Sequence, residues 1–288
     1  MLFNSFQFAV FFLIVYCLYL VLDHKWQNRL LLVASCIFYG AWNWRFLFPM
    51  FISISVDYFC AIRIQRSDDR KVRRRFVFLS IFVNLSILAF FKYFNFFAGN
   101  LQVLLEHLGL PVHVYFLNII LPVGISFYTF EAMSYVIDVH RRKITATTNY
   151  MDYALFVTYF PHLVAGPIMR AKNLLPQMAS LRMINLQKVY DGFSLIIWGL
   201  FQKCVVADNL AFIVNKTFSL PTVSSGALCL MAVYGFAFQI YCDFAGYSNI
   251  ARGLGKCMGF EIMINFNLPY LATNPREFWS RWHISLST

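Results

Sequence analysis

Residues 6–22 read FQFAVFFLIVYCLYLVL, a run without a charged side chain. A bilayer core takes about 20 apolar residues as a helix. No basic region leads into this run and no small-residue cleavage site follows it, so it reads as a retained membrane helix and not a signal peptide. The rest of the chain has the same character. Of 288 residues, 60% are hydrophobic, 19% aromatic and only 13% charged, and the mean hydropathy is +0.61. A water-soluble domain of this length does not carry so much apolar residue, which makes this an integral membrane protein.

Apolar runs predict spans near 5–22, 29–43, 44–62, 76–98, 115–137, 193–214 and 226–245. The region 29–62 is long enough for two helices, with a tight turn at WNWR (42–45), whose tryptophans fit an interfacial belt. The run 151–168, MDYALFVTYFPHLVAGPI, is interrupted by Pro161 and Gly166 and predicts a re-entrant or broken segment. The expected fold is all-α: a polytopic membrane helical bundle with one broken helical segment, forming a single transmembrane domain over 1–288.

The net charge of +11 does not point to nucleic acid, because the basic residues sit in short loops between apolar runs. Positive-inside topology and attraction to membrane lipid account for it better. Loop 63–75, RIQRSDDRKVRRR, and HRRK at 140–143 are strongly basic, whereas 99–113 has neither Lys nor Arg. Basic loops in the cytoplasm place the N-terminus outside. Seven scattered cysteines with no CxxC pair and no Cys/His cluster suggest neither a disulfide framework nor a metal site.

Four stretches could carry chemistry. In NPREFWSRWHISLST, Asn274 to Thr288, Asn274 fits a helix cap, Pro275 the first helical position and Glu277 a capping box. On that helix Trp279 and His283 share a face, and Glu277 can pair with Arg281. His283 suits general acid–base work, or else is a hydrogen-bonded structural histidine. In QIYCDFAGYSNIARGLGK (239–256), Asp243 closes an apolar span. It reads equally as a functional intramembrane carboxylate or as a partner of Arg252 or a cap for the following helix. GLGK lacks the rest of a phosphate-binding loop. Glu131 lies mid-span and should face the bundle or a water-filled cavity, while Asp138 stands near an Arg pair. His162, inside the 161–167 break, reads foremost as a buried structural histidine.

Taken together and in order, LPVGISFYTFEAMSYVIDV, FPHLVAGPI, GLFQKCVVADNLA, QIYCDFAGYSNIARG and NPREFWSRWHISLST resemble the membrane-bound O-acyltransferases over nearly the whole chain. The nearest branch acetylates exported polysaccharides such as alginate, and a sister branch D-alanylates teichoic acids. The resemblance implies a helical bundle around a tunnel in the bacterial inner membrane. An acyl group passes from a cytoplasmic thioester donor, acetyl-CoA in this branch, to hydroxyls of an exported polysaccharide, with no bound cofactor and with periplasmic acetyltransferase partner proteins. His283 falls on the first of two functional histidines of the family. Asp243, Glu131, His162, Trp279 and Trp282 are candidate tunnel or substrate residues. The second histidine of the pattern lies some tens of residues further on, so the resemblance implies the N-terminal portion of the fold with later helices missing. An inactive fragment, or a transporter or scaffold of a cell-envelope polysaccharide complex, stands as the alternative.

Overall fold

A computed structural model describes residues 1–110, 119–164, 166–220 and 225–287. Every regular element among them is helical. In chain order the α-helices are α1 (Phe6–Val21), α2 (His24–Asn43), α3 (Leu47–Arg66), α4 (Arg70–His107), α5 (Ile125–His140), α6 (Tyr150–Thr158), α7 (Phe160–Leu163), α8 (Ala171–Ala179), α9 (Leu186–Leu200), α10 (Asp208–Phe218), α11 (Gly226–Cys257), α12 (Pro275–Arg281) and α13 (Ile284–Ser287). A π-helical segment, Phe201–Ala207, joins α9 to α10 without a break.

Among the described residues, four helical stretches are long and apolar enough to cross a membrane: His24–Arg66, Arg70–His107, Leu186–Phe218 and Gly226–Cys257, with Phe6–Val21 a shorter apolar helix. The protein is thus a multi-pass membrane helical bundle. The turn expected at WNWR is a single 3-10 turn, Trp44–Phe46, started by Asn43, whose side chain accepts from the Arg45 N–H at 3.1 Å. Trp44 is largely exposed, as a belt residue should be.

Two spans differ from expectation. The run 115–137 begins outside the described residues, and its helix starts only at Ile125. Pro122 precedes it, and Gly124 caps it at φ 76°, a conformation an L-residue avoids. The 226–245 span continues to Cys257. Asp243 does not end it, because a lysine from a neighbouring helix meets its charge. The 151–168 segment is broken as expected: α6 ends at Thr158, Tyr159 is non-helical, and Pro161 sits at the start of α7, where its missing N–H does no harm.

The chain divides into two compact units, Met1–Trp42 with Tyr159–Thr288, and Asn43–Thr158. In the first, α9 and α11 pack through glycines at two levels. A Cβ added to Gly199 would lie 2.5 Å from the Gly246 carbonyl oxygen, and one added to Gly253 would lie 2.5 Å from that of Gly192. Small residues let membrane helices approach this closely. Phe8, Phe38 and Phe160 form an aromatic cluster, and the Tyr19 hydroxyl donates to the Met258 carbonyl at 2.7 Å. Arg182, one of the loop cations, donates to Asn28 at 2.7 Å and lies over the Phe260 ring.

In the second unit, α3, α4 and α5 pack together around a polar knot. The carboxylate of Asp57 is fully buried and accepts from the Ser80 hydroxyl at 2.6 Å and from Asn84 Nδ2 at 2.9 Å. Ser53 completes the knot by donating to Asn84 Oδ1 at 2.6 Å. In apolar surroundings such a group is tolerated because its lone pairs are met.

Candidate active site

The helix start at Asn274 forms as its sequence dictates. Asn274 Oδ1 accepts from the Glu277 N–H at 2.9 Å, Glu277 reaches back to the Thr273 N–H at 2.9 Å, and Arg281 pairs with Glu277 at 2.6 Å. The helix then stops at Arg281. Trp282 is extended, and His283 adopts φ 47°, a left-handed conformation that costs a non-glycine residue about 1 kcal/mol or more. Trp279 and His283 therefore do not share a helical face, contrary to the sequence reading.

The cause is competing hydrogen bonding from residues 265–267. The Asn267 N–H donates to the Arg281 carbonyl and the Ile284 N–H donates to the Asn265 carbonyl, both at 2.9 Å. These bonds draw the chain out of the helix on either side of His283. The side chain of Asn265, almost wholly buried, locks the turn. Its Oδ1 accepts from the Ser285 hydroxyl at 2.9 Å and the Ser285 N–H at 3.3 Å, and its Nδ2 donates to Ser248 on α11 at 3.3 Å. The Ser285 oxygen also accepts from the Ile168 N–H at 3.0 Å, which ties the turn to the stretch after α7.

This network bears on the histidine tautomer. Ser285 Oγ stands 3.4 Å from His283 Nδ1. A hydroxyl has one hydrogen, and that of Ser285 goes to Asn265, so toward the imidazole it can only accept. Nδ1 then carries the proton and the lone pair falls on Nε2. The ring is half-buried, edge-on to Phe244 at 4.8 Å. Burial pushes the His283 imidazole below the usual histidine range, so the neutral form prevails at pH 7. A neutral imidazole in a partly dry setting can take a proton from a hydroxyl.

Of the other residues singled out in the sequence, Trp282 packs among Phe278, Phe266, Tyr270 and Tyr241, with its ring stacked on Phe278 at 5.6 Å, and so anchors the turn. Trp279 is exposed and its carbonyl accepts from Ser287. Asp243 precedes Phe244 on α11, and its partner is neither Arg252 nor a cap: Lys203 Nζ lies 2.5 Å from Asp243 and 2.9 Å from Asp208. Lys203 belongs to the π-helical segment, whose wider turn resets which side chains face α11, and such segments concentrate at functional sites. His162 is buried on α7 with its ring 5.6 Å from Tyr159. Glu131 is buried on α5, in the other unit. The structure thus sets His283 against Phe244 of α11, and Phe266 packs on both Phe244 and Trp282, while the Asp243 carboxylate is turned to Lys203.

Sequence reasoning missed Lys203, Asn265 and Ser285. Lys203 could have been found as a lone cation in an apolar run. Nothing in the sequence joins Asn265 to Ser285. The ion cluster has a measurable consequence. Lys203→Met is expected to destabilise by about 1 kcal/mol, since it leaves Asp243 and Asp208 unneutralised but both carboxylates are about half exposed. Asp243→Asn is expected to destabilise less, because Lys203 keeps Asp208. Thermal unfolding in detergent should show that order, and equal midpoints for wild type and Lys203→Met would remove the cluster from the account.

Helices long and apolar enough to cross a membrane define an integral membrane protein, and its half-buried histidine stands on a left-handed turn. The sequence model of the MBOAT, or membrane-bound O-acyltransferase, family matches residues 78–288, and the chain belongs to that family. It is 41% identical over its whole length to the probable alginate O-acetylase AlgI of Pseudomonas aeruginosa, covering 55% of that protein. It is 33% identical, again over its whole length, to the peptidoglycan O-acetyltransferase of Helicobacter pylori, covering 60% of it. Against the teichoic acid D-alanyltransferase of Bacillus subtilis it is 30% identical over 59% of the chain, covering 44% of that protein. The chain spans a little over half the length of the curated relatives that it matches from end to end.

Proposed function

We propose that the protein is a membrane O-acyltransferase that moves an acyl group, here acetyl, from a cytoplasmic thioester such as acetyl-CoA toward hydroxyls of an exported polysaccharide such as alginate. The names of the relatives support the reaction class and the type of acceptor. The observation that carries the proposal is the Asn265–Ser285 network, which sets the Ser285 oxygen 3.4 Å from His283 Nδ1; with Nδ1 as the donor of that contact the lone pair falls on Nε2.

In this reading Nε2 takes the proton of the acceptor hydroxyl as its oxygen bonds to the thioester carbonyl carbon. The tetrahedral intermediate collapses, the carbon–sulfur bond breaks, and the leaving thiolate takes the proton back from the imidazolium. The apolar surroundings keep water from the thioester. The basic segments 63–75 and 140–143 face the cytoplasm of a bacterial inner membrane, with the N-terminus outside, and periplasmic acetyltransferases receive or pass on the group.

The pH dependence tests the base. A group whose pKa lies below the ordinary histidine value is neutral, and active as a base, above that pKa; activity is lost as pH falls through it. Acetyl transfer from acetyl-CoA in membranes holding the protein is therefore expected to be flat near pH 7, with its acid limb below pH 6.5. An acid limb centred above 7 would be incompatible with a half-buried neutral His283 as the base.

A further inference from the structure

A second polar feature lies in the unit Asn43–Thr158. Where α3 ends, α4 begins and α5 ends, a cavity of about 370 Å³ is lined by Gln65, Asp68, Arg73, Arg142, Lys143 and Thr145, among others. Three cations face one carboxylate. We propose that this cavity binds a phosphate group, presented by an anionic phospholipid headgroup or by a soluble phosphate ester.

Three observations carry this. The first is an unmet donor in a side chain of the cavity wall, shielded from solvent while the cavity is empty. Arg73 Nη2 donates to the His140 carbonyl, while its Nε is buried and has no acceptor among the described residues. Buried guanidinium N–H groups are seldom left without an acceptor, and a phosphate oxygen is a strong one.

The second is the backbone at Arg142. The end of α5 forms a Schellman motif: the Lys143 N–H donates to the Asp138 carbonyl at 3.0 Å and the Arg142 N–H to the Val139 carbonyl at 3.0 Å. The left-handed position of that motif usually holds glycine, yet here it holds Arg142 at φ 57°. An arginine kept where glycine fits better is a strain in need of a reason. Its side chain lies in the cavity wall and pairs with Asp68 at 2.7 Å. Both side chains are more than half exposed, and pairs of that kind are weak enough for a multiply charged oxyanion to displace the carboxylate.

The third is the local field. His140, at the last turn of α5, is held below the usual histidine range by burial and then by Arg73, Arg74, Arg70 and Arg141. A basic recess at the ends of membrane helices matches the way anionic headgroups are held, and the same oxyanion chemistry serves a soluble phosphate ester.

The test uses the full-length protein in phosphatidylcholine nanodiscs, with tryptophan fluorescence reporting the unfolding midpoint. Phosphatidylglycerol is added to the bilayer in one arm and sodium pyrophosphate to the buffer in the other. A bound ligand raises the midpoint with concentration. Wild type is expected to respond in at least one arm. Arg142→Gly, which suits the backbone at that position, should keep the unliganded midpoint or raise it while weakening the response at least tenfold. Lys143→Gln should weaken it in the same arm. A response to phosphatidylglycerol alone assigns the site to a lipid headgroup, to pyrophosphate alone to a soluble ester, and to both to the phosphate group itself. A wild type that responds in neither arm, or variants that respond as wild type does, would overturn the proposal.

Discussion

Gly199→Ala is expected to destabilise the protein by roughly 1–3 kcal/mol, the usual range for an overpacked interior. The methyl group would meet the Gly246 carbonyl oxygen at 2.5 Å and Ile250 Cγ1 at 2.8 Å. One of these is backbone, so no side-chain rotation relieves the clash, and α9 must move off α11. The second glycine level, Gly192 against Gly253, lies seven residues along each helix and resists a simple tilt. Gly226→Ala is the internal comparison. Among the described residues a Cβ there meets nothing within 4 Å, and replacing a helical glycine by alanine stabilises by up to about 1 kcal/mol. The two substitutions are expected to shift the unfolding midpoint in detergent in opposite directions. If Gly199→Ala matches wild type, the close contact of α9 with α11 does not hold.

What could be read in the sequence follows from which forces are local. Apolar length is a property of one segment, so α1 and the cores of α3, α4, α9 and α11 are legible from composition alone. Pro161 likewise acts on its own neighbourhood, and the break at Tyr159 appears where it should. Errors arise where a remote residue changes a local preference. Asp243 looked like the end of a span because a carboxylate is costly in apolar surroundings, and Lys203 removes that cost from another helix. The run from Asn274 has helical signals as far as Ser287, and Asn265 and Asn267 divert it at Trp282 by offering other partners. The pairing of glycines across α9 and α11 is invisible in one strand of sequence, since a glycine repeat has meaning only with its partner in place.

His283→Ala carries the largest expected effect on activity. General base catalysis contributes about 10²–10⁴-fold, so transfer should fall by at least two orders of magnitude. The fold should not suffer. His283 is only half-buried, and alanine removes the ring contact with Phe244 and the long Ser285 contact but leaves every bond of Asn265 intact. The left-handed backbone disfavours alanine somewhat more than histidine, a cost of a fraction of a kcal/mol to about 1 kcal/mol. Lost activity with a normal unfolding midpoint would therefore mark the imidazole itself.

The most direct measurement follows labelled acetyl from acetyl-CoA into alginate in cell membranes, comparing wild type and His283→Ala at matched amounts of membrane-inserted protein. Acetylated polysaccharide is expected from wild type, and at least a hundredfold less from the variant. Equal acetylation by the two would show that His283 is a structural residue and that the proton is taken elsewhere.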